Sequence, residues 1–411
     1  MTSLPSELLS FDNTEYAFAY KSNKELKLAH FLFKSMGTEW LVKWGIRITP
    51  WAIKMRLPIN GIIRKTIFNQ FVGGENLEET SRIARKLGEY NVQVILDYGV
   101  EGGDEGEEGF DHACDEFIRV IEYAATQPNI PFMSVKVTGI ARFELLEKLD
   151  RSVEIGAGTL MKRYVNALET LNEAEQEEWQ KVSNRLHRIC KAALKNNVGV
   201  FIDAEETWIQ DPVDVLTTLM MEQYNKEKAV VFNTFQLYRI DRYQFLKDSY
   251  EAANQRNFIL GAKLVRGAYM EKERARAKEM NYGSPIQRNK DSTDLDYNLS
   301  MEYCLKYLSK ISIVIASHNE KSSFHFTRLL DGKGIPHNHP HIHFSQLYGM
   351  SDNITFNLAK AGFSVSKYLP FGPIKDVIPY LMRRAQENSS VAGQTGRELG
   401  LIKKEIKRRG L

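Results

Sequence analysis

Two adjacent arginines, Arg383 and Arg384, are well suited to grip a carboxylate. A guanidinium presents a planar fork of donors that matches a carboxylate, and Arg is the usual choice for such a clamp. The pair lies in the run from Tyr368 to Asn388, where prolines and a glycine separate a β-type run from a helix pattern. A solvated ion-pair face is the alternative interpretation. Apolar residues recur at the helical period and predict a packed opposite face, namely Ile374, Val377, Ile378, Leu381 and Ala385.

Polar side chains with chemical potential also stand where other β-type runs end. Because the chemistry of a parallel barrel is carried by the carboxyl ends of its strands, these positions are candidate site residues. Polar residues end most strands, so part of the set is expected by chance. The set is Asp97, Lys136, Asp203, Gln236, Lys263, Arg266, His318, Asn319 and Tyr368.

The elements that would position these residues alternate regularly. Residues 1–88 read as a helical arm, 89–390 as alternating β-type and helical segments, and 391–411 as a basic tail, usually solvated. Eight alternations favour an α/β fold of the (β/α)8 TIM-type barrel, and no GxGxxG or GxxxxGK[ST] motif follows a strand. The predicted strands are Val92 to Asp97, Met133 to Thr138, Val198 to Asp203, Val230 to Phe235, Phe258 to Val265, Ile311 to Ser317, His341 to Phe344 and Phe363 to Leu369.

Composition narrows the class of protein. The chain has 411 residues and a net charge of +3, which gives no global support to nucleic-acid binding. Its three cysteines, Cys114, Cys190 and Cys304, show no CxxC spacing and predict free thiols in a reducing compartment. No targeting segment or apolar run of membrane-spanning length is present, so we expect a cytoplasmic protein.

Two other patterns have competing interpretations. A basic segment with tryptophans, from Glu39 to Lys65, can sit on a membrane surface, although such a segment more often wraps its domain and buries its aromatic side. Alternating histidines from His337 to His343 are the most metal-like feature. Because nearby cysteine and carboxylate ligands are missing, we predict no metal there.

The residues from Tyr368 through the paired arginines to Glu387 and Asn388 resemble the signature of the proline dehydrogenases. The run from Lys263 to Tyr269 resembles that family's fifth-strand motif. Shorter matches cover 72–75, 203–206, 316–319 and 346–350, so the resemblance extends over most of the chain.

The resemblance implies a distorted (β/α)8 barrel that binds FAD non-covalently, oxidises L-proline to Δ1-pyrroline-5-carboxylate and passes the electrons to a quinone. Lys263 is a departure, because bifunctional bacterial members have arginine here whereas eukaryotic-type members have lysine; a single ammonium lacks the fixed fork. The flavin site implied by the resemblance comprises Asp203, Gln236, Lys263, Val265, Arg266, Gly267, Ala268, His318, Asn319 and Glu387.

For the substrate, the resemblance implies that Arg383 and Arg384 bind the carboxylate of proline and that Lys136 adds a third positive group close to the ring. Asp203 would orient its neighbours by hydrogen bonds, and Glu101 would pair with the first arginine. The Gly- and acid-rich run that follows Glu101 has the composition of a lid or of a solvated loop. The catalytic set is thus Lys136, Asp203, Tyr368, Arg383 and Arg384. Apolar walls around the ring would come from Tyr269, Leu347 and Tyr368.

Three alternatives stay open from the sequence. A 4-hydroxyproline dehydrogenase would share the site, a Schiff-base lyase could use Lys136 or Lys263 as nucleophile, and a non-catalytic barrel could bind an amino acid only. We also expect a separate pyrroline-5-carboxylate dehydrogenase to act on the product, since no second catalytic domain fits in this length.

Overall fold

The fold was analysed in a computed structural model of the chain. The structure describes residues 9–38, 40, 44, 45, 47, 55, 59–99, 106–155, 159–390 and 392–411. Of residues 154, 155, 387–390 and 392–395 it describes the backbone only.

Eight strands follow one another in chain order around a closed parallel barrel, which confirms the predicted fold class. All eight predicted β-branched runs form strands, because such residues pack well on a pleated, buried surface. The strands are β1 (Gln93–Tyr98), β2 (Phe132–Val135), β3 (Gly199–Ile202), β4 (Val231–Gln236), β5 (Leu260–Val265), β6 (Ile311–Ala316), β7 (Ile342–Leu347) and β8 (Val365–Phe371).

The end of β8 differs from the prediction, because Pro370 does not break the strand. It pairs in register with Asp97 of β1, and its carbonyl accepts a hydrogen bond from the Gly73 amide at 2.8 Å. The register of β8 with β7 ends earlier, at Tyr368, so the missing amide hydrogen of Pro370 falls beyond that ladder. The predicted end of β7 is also short, since the strand continues to Leu347.

The chain forms two compact units. Unit 1 comprises Met1–Val100, His318–Asn338 and Phe344–Leu411, and unit 2 comprises Glu101–Ser317 and His339–His343. Helices of unit 2 are Gly106–Ala125, Phe143–Ile155, Leu160–Leu168, Glu173–Asn196, Gln210–Tyr224, Arg242–Gln255, Met270–Glu279 and Lys290–Lys306, with short 3-10 turns at Val137–Gly139 and Thr207–Ile209. Helices of unit 1 are Thr14–Ala17, Asn23–Met36, Asn60–Ile63, Asn69–Phe71, Leu77–Gly88, Glu320–Gly332, Asp352–Lys360, Ile374–Ser390 and Ala392–Arg408, with a π-helical turn at Arg64–Phe68.

A hydrophobic cluster of unit 1 holds the N-terminal helices against the end of the chain. The helix Asn23–Met36 has Ser22 as its N-cap, and the side chains of Ser22 and Glu25 form a reciprocal capping box. Its Phe33 packs in one cluster with Val377 and Leu381 of the helix Ile374–Ser390. The predicted apolar stripe is therefore the packed face of that helix.

The last segment is a packed helix rather than the solvated tail that its charges predict. Leu401 and Ile402 are buried in the same hydrophobic cluster of unit 1. Two of its cations are used within the chain, since Lys404 donates to the carbonyl of Asp12 at 2.7 Å and Arg409 to that of Phe18 at 2.7 Å. Despite its many charges, the segment is an amphipathic helix, and it packs because its apolar residues are buried.

The segment from Glu39 to Lys65 exposes the two tryptophans that the structure describes, Trp40 and Trp44. Trp40 is 62% and Trp44 59% exposed, and Ile62 is 67% exposed. The other apolar and basic residues of 39–58 lie mostly outside the described residues. For these two tryptophans, the interpretation in which the segment buries its aromatic side is therefore wrong.

Candidate active site

An ion pair joins the ends of two strands of unit 2. The ammonium of Lys263, on β5, donates to Oδ1 of Asp203, just past β3, at 2.5 Å. Lys263 is buried and also lies over the ring of Phe201, with Nζ 5.3 Å from the centroid. A Schiff-base nucleophile must be a neutral amine, so this ion pair disfavours Lys263 in that role.

Lys136 contributes a second positive charge to this end of the strands. Burial of Asp203 opposes its ionisation, but Lys263 and Lys136 outweigh that effect and hold the pKa of Asp203 below its ordinary value. Asp203 therefore stays a carboxylate at neutral pH, and three predicted site residues form one electrostatic group.

Arg266 is fixed by an acid and an aromatic ring that sequence reasoning did not single out. Its Nε donates to Asp294 at 2.7 Å and its Nη1 to the hydroxyl of Ser317 at 2.6 Å. The guanidinium also stacks over Tyr297, 4.2 Å from the ring centroid. The arginine is held in place, with part of its charge already balanced by Asp294.

The turn after β5 places its small residues at the surface. Gly267 has φ +133°, and a Cβ there would lie 2.4 Å from ring atoms of Tyr238. This clash and the backbone conformation require glycine for structural reasons alone. Val265 is half-buried, Ala268 is exposed, and Tyr269 directly precedes the helix Met270–Glu279.

Gln236 ends β4 as a buried amide with one oriented half. Its Nε2 donates to the carbonyl of Glu205 at 3.0 Å, whereas its buried Oε1 has no hydrogen-bond partner in the part of the chain that the structure describes. A buried acceptor left in this way suits a donor on a bound group. The amide, with the Lys263 ammonium and the Arg266 cation, therefore fits a polar, anionic cofactor such as a flavin dinucleotide.

Glu205 lies beside Asp203, Gln236 and Lys136, although the sequence indicated it only as part of the matched run 203–206. Its carboxylate accepts from the hydroxyl of Thr138, which lies 2.9 Å from both oxygens. Burial raises the pKa of Glu205 to about 7, against the opposing effects of Lys136 and Thr138. Only the fold brings this acid to Thr138, so no local signal in the sequence indicates its environment.

Unit 1 carries the paired arginines. Arg384 is 6% exposed and stacks over Tyr380, one turn earlier on the same helix, at 5.2 Å from the ring centroid. Arg383 is half-buried. A solvated ion-pair face would leave both arginines exposed to solvent. Burial of Arg384 therefore favours the carboxylate clamp over a solvated ion-pair face.

The predicted apolar walls lie on neighbouring strands of the same unit. Tyr368 is buried on β8 and pairs in register with Leu347 at the end of β7. Side chains of directly paired residues in a parallel ladder share one face of the sheet. The structure thus brings these two predicted residues together.

His318 is linked to the last helix through a serine. Its Nδ1 lies 2.8 Å from the hydroxyl of Ser351, whose amide donates to the carboxylate of Glu398. Ser351 has φ +49°, which is unusual for a residue with a side chain. Asn319 caps the helix Glu320–Gly332 by accepting from the amide of Ser322. No sequence pattern indicated the link from Glu398 to a predicted cofactor residue.

Two predicted residues cannot be placed in this way. Glu101 lies outside the described residues, and of Glu387 only the backbone is described. The end of the predicted lid or solvated loop is instead the first turn of the helix Gly106–Ala125, where Glu107 binds Arg185 at 2.6 Å. Acidic residues favour a helix N-terminus, which explains the difference.

The histidines of 337–343 have protein partners. His337 lies 2.7 Å from the carboxylate of Asp331, and His341 donates to the carbonyl of Leu308 at 2.7 Å. Burial lowers the pKa of His343 to about 3. Across the described residues, no group of three or more His, Cys, Asp or Glu is arranged to hold a metal ion.

A closed parallel barrel of eight strands, with an ion pair between the ends of β3 and β5, defines an α/β-barrel protein. The sequence profile of the proline dehydrogenase family matches residues 80–397. This chain belongs to the proline dehydrogenase family of enzymes.

Individual relatives agree with that assignment. The chain is 33% identical over 381 residues to "Proline dehydrogenase 1, mitochondrial" of Dictyostelium discoideum, covering 86% of this chain and 66% of that protein. It is 29% identical over 412 residues to "Hydroxyproline dehydrogenase" of Xenopus laevis, covering 95% and 88%. The fold is similar to that of proline utilization A from Bdellovibrio bacteriovorus inactivated by N-propargylglycine, with a TM-score of 0.68 at 20% identity, covering 93% of this chain and 36% of the other.

The chain thus spans less than two thirds of some of the proteins that it matches. Among its described helices, none combines the length and apolar character needed to cross a membrane. All three cysteines are buried free thiols, as predicted.

Proposed function

We propose that this chain oxidises L-proline to Δ1-pyrroline-5-carboxylate with FAD as cofactor and a quinone as electron acceptor. The observation that carries this proposal is the buried pair of Lys263 and Asp203 beside Lys136, in a chain of this family. This arrangement holds a fixed ammonium at a strand end without neutralising the whole group.

The residues proposed to hold the flavin are those of the predicted set. Gln236 supplies an unmatched acceptor, Lys263 a donor, and Arg266 a positive charge for the diphosphate. We assign Val265, Gly267, Ala268, His318 and Asn319 to the same role, together with Glu387. When bound, the flavin would supply an acceptor, its N5, for the hydride from ring C5 of proline.

The chain's own residues would bind and orient the substrate. We assign the carboxylate of proline to Arg383 and Arg384, because charge-assisted hydrogen bonds to a carboxylate are strong and directional. Lys136 would add a third positive group close to the ring. Cations nearby disfavour a positively charged ring nitrogen, so the neutral amine, which releases hydride more readily, would be favoured. Tyr269, Leu347 and Tyr368 would enclose the ring carbons, and Glu101 would pair with the first arginine.

A test of this proposal separates it from the rival functions. A Schiff-base lyase forms its lysine adduct with an aldehyde or ketone, and because proline carries neither group, such an enzyme would leave proline unchanged. Turnover of proline with a soluble quinone as acceptor is expected for the proposed dehydrogenase. No reduction of the quinone with proline, together with an adduct of an added α-keto acid that borohydride traps on Lys136 or Lys263, would contradict the proposal.

We also propose a peripheral contact with an anionic membrane, where a quinone is available. Exposed Trp40 and Trp44, with the exposed Arg47, support this surface, whereas Lys404 and Arg409 of the last helix already bind carbonyls of the chain. Replacing both tryptophans with Ala should reduce sedimentation with anionic vesicles at low salt. Unchanged sedimentation would exclude this surface. The product would pass to a separate pyrroline-5-carboxylate dehydrogenase.

A further inference from the structure

Ser351 does not use its hydroxyl as a serine at the start of a helix usually does. It is the N-cap of the helix Asp352–Lys360, a position where a serine hydroxyl commonly accepts a hydrogen bond from an amide of the first turn. Over the described residues of this helix, the Ser351 hydroxyl makes no such bond. It lies instead 2.8 Å from Nδ1 of His318. The side chain of the serine therefore contacts a residue of the proposed flavin site instead of capping the helix.

The backbone of Ser351 is held in the left-handed region, with φ +49° and ψ +42°. A residue with a side chain stays in this region only where its surroundings enforce it. Two hydrogen bonds do so here. The amide of Ser351 donates to Oε1 of Glu398, and its carbonyl accepts from the amide of Thr355 at 3.2 Å. Because the first bond is made to Glu398, this acid helps to set the direction of the Ser351 hydroxyl.

Glu398 lies on the last helix, Ala392–Arg408, and is only 5% exposed. A buried carboxyl group requires a hydrogen-bond donor, and the amide of the serine supplies one. The neighbouring Arg397 binds Glu320, the first residue of the helix after β6, at 2.8 and 3.0 Å. Two adjacent residues of the last helix thus contact the segments that follow β6 and β7.

We propose that Glu398 is a positioning residue for the flavin, because it holds Ser351 where the serine hydroxyl orients the imidazole of His318. The three residues belong to unit 1. This inference rests on the proposed function, in which His318 takes part in the flavin site. A hydrogen bond at one ring nitrogen fixes the orientation of an imidazole and the protonation of its other nitrogen. Without the serine contact, His318 would meet the cofactor in a less defined orientation.

A purely structural role for Glu398 is the alternative, and Glu405 of the same helix separates the two. Glu405 is fully buried and accepts from Arg408 and Arg409 at 2.7 to 2.9 Å. Neither arginine belongs to the proposed flavin site. Loss of Glu405 therefore shows what a buried acid of this helix contributes to stability alone.

Flavin release measures the positioning role independently of turnover. We would follow the fluorescence of flavin released from the purified, flavin-loaded protein after dilution at pH 7 and 25 °C, with circular dichroism to show that each variant is folded there. Glu398→Leu removes the acceptor of the Ser351 amide and should speed release on the order of tenfold. Glu398→Gln keeps an acceptor oxygen at this position, so its rate should stay close to that of the unchanged protein.

Changes at Ser351 test whether Glu398 acts through the serine hydroxyl. Ser351→Ala keeps the amide but removes the hydroxyl, and should also speed release on the order of tenfold. Ser351→Ala combined with Glu398→Leu should release flavin no faster than Ser351→Ala, because both changes interrupt the same contact. Glu405→Leu is the matched control, and should lower the midpoint of thermal unfolding without changing the release rate.

Four results would overturn the positioning role while the proposed function stands. Two concern single changes: an unchanged release rate in Ser351→Ala, or equal rates for Glu398→Gln and Glu398→Leu. The others are equal acceleration by Glu398→Leu and Glu405→Leu, and an effect of the double variant that is the product of the two single effects. If Glu398→Leu does not fold, the rate for Ser351→Ala decides. An unchanged protein that retains no flavin after incubation with FAD would contradict the proposed function itself, and the inference falls with it.

Discussion

The ammonium of Lys263 donates to the carboxylate of Asp203 at 2.5 Å, which joins the ends of β5 and β3 across one intervening strand. The side chains are 7% and 13% exposed. A pair that is this buried stabilises little by itself, but loss of one partner leaves a charge without compensation. The pair therefore holds a cation at the proposed flavin site at low net cost.

Asp203→Asn should destabilise the protein by about 3 kcal/mol, because Lys263 would keep a buried charge without its anion. The double variant with Lys263→Met should recover part of that loss. Urea unfolding at pH 7 measures both. Glu178→Gln, which breaks a more exposed pair with Arg142, should cost less than about 1 kcal/mol. Equal costs for Asp203→Asn and Glu178→Gln would show that the buried pair has no special role.

Arg384→Met should raise the KM for proline by about tenfold to a hundredfold, because a charge-assisted hydrogen bond contributes about 1.5 to 3 kcal/mol. The flavin content, read from the visible spectrum, should stay the same. Arg328→Met, on the helix Glu320–Gly332, is the matched control and should leave KM unchanged. An unaltered KM in Arg384→Met would remove this arginine from the substrate site.

Tyr368→Ser tests which ring the site accepts. The buried phenol would fill the space that a hydroxyl on C4 of the ring needs, so this chain should prefer L-proline. The variant should have a lower kcat/KM for proline, equivalent to a loss of about 1 to 3 kcal/mol of transition-state stabilisation. The loss for trans-4-hydroxy-L-proline should be much smaller. If the ratio of the two kcat/KM values does not change, Tyr368 does not determine which ring the site accepts. The alternative function, a 4-hydroxyproline dehydrogenase, would then stay open.

Glu398 predicts a pH-dependent stability. Burial and the charge of Asp352 raise the pKa of Glu398 from 4.5 to about 7. A raised carboxyl pKa contributes stability that is complete below about pH 4.5 and is lost as pH rises through about 7. Relative to Glu398→Gln, the unchanged protein should therefore lose about 3 kcal/mol between pH 4 and 8.

Denaturant midpoints at these two pH values measure the difference. Glu116→Gln, at a surface pair with Arg119, is the control and should show no such trend. A parallel pH dependence in the unchanged protein and Glu398→Gln would mean that Glu398 is ionised without penalty.

The sequence predicted the repeating elements because they depend on local pattern. Each of the eight β-branched runs forms a strand, and the predicted apolar stripe from Ile374 to Ala385 is the packed face of a helix. Pro370 was predicted to break β8, because proline lacks the amide hydrogen that a strand donates. The prediction was wrong because β7 no longer pairs with β8 beyond Tyr368, which local sequence cannot show.

Features that depend on distant contacts escaped prediction. Glu398 is 47 residues from Ser351, whose amide it binds, and Glu205 is 67 residues from Thr138. Charge alone made the end of the chain resemble a solvated tail, although Leu401 and Ile402 bury it. The strand-end residues were found because a parallel barrel fixes where they lie, whereas the partners that hold them are set by tertiary packing.

If this chain oxidises proline with a bound flavin, as proposed, proline must reduce that flavin. The most direct test is the visible spectrum of the purified protein under anaerobic conditions, before and after addition of L-proline. A yellow protein whose flavin band disappears on adding proline, and returns on adding a quinone, is the predicted result. A protein that carries flavin but keeps its full band with saturating proline would contradict the account.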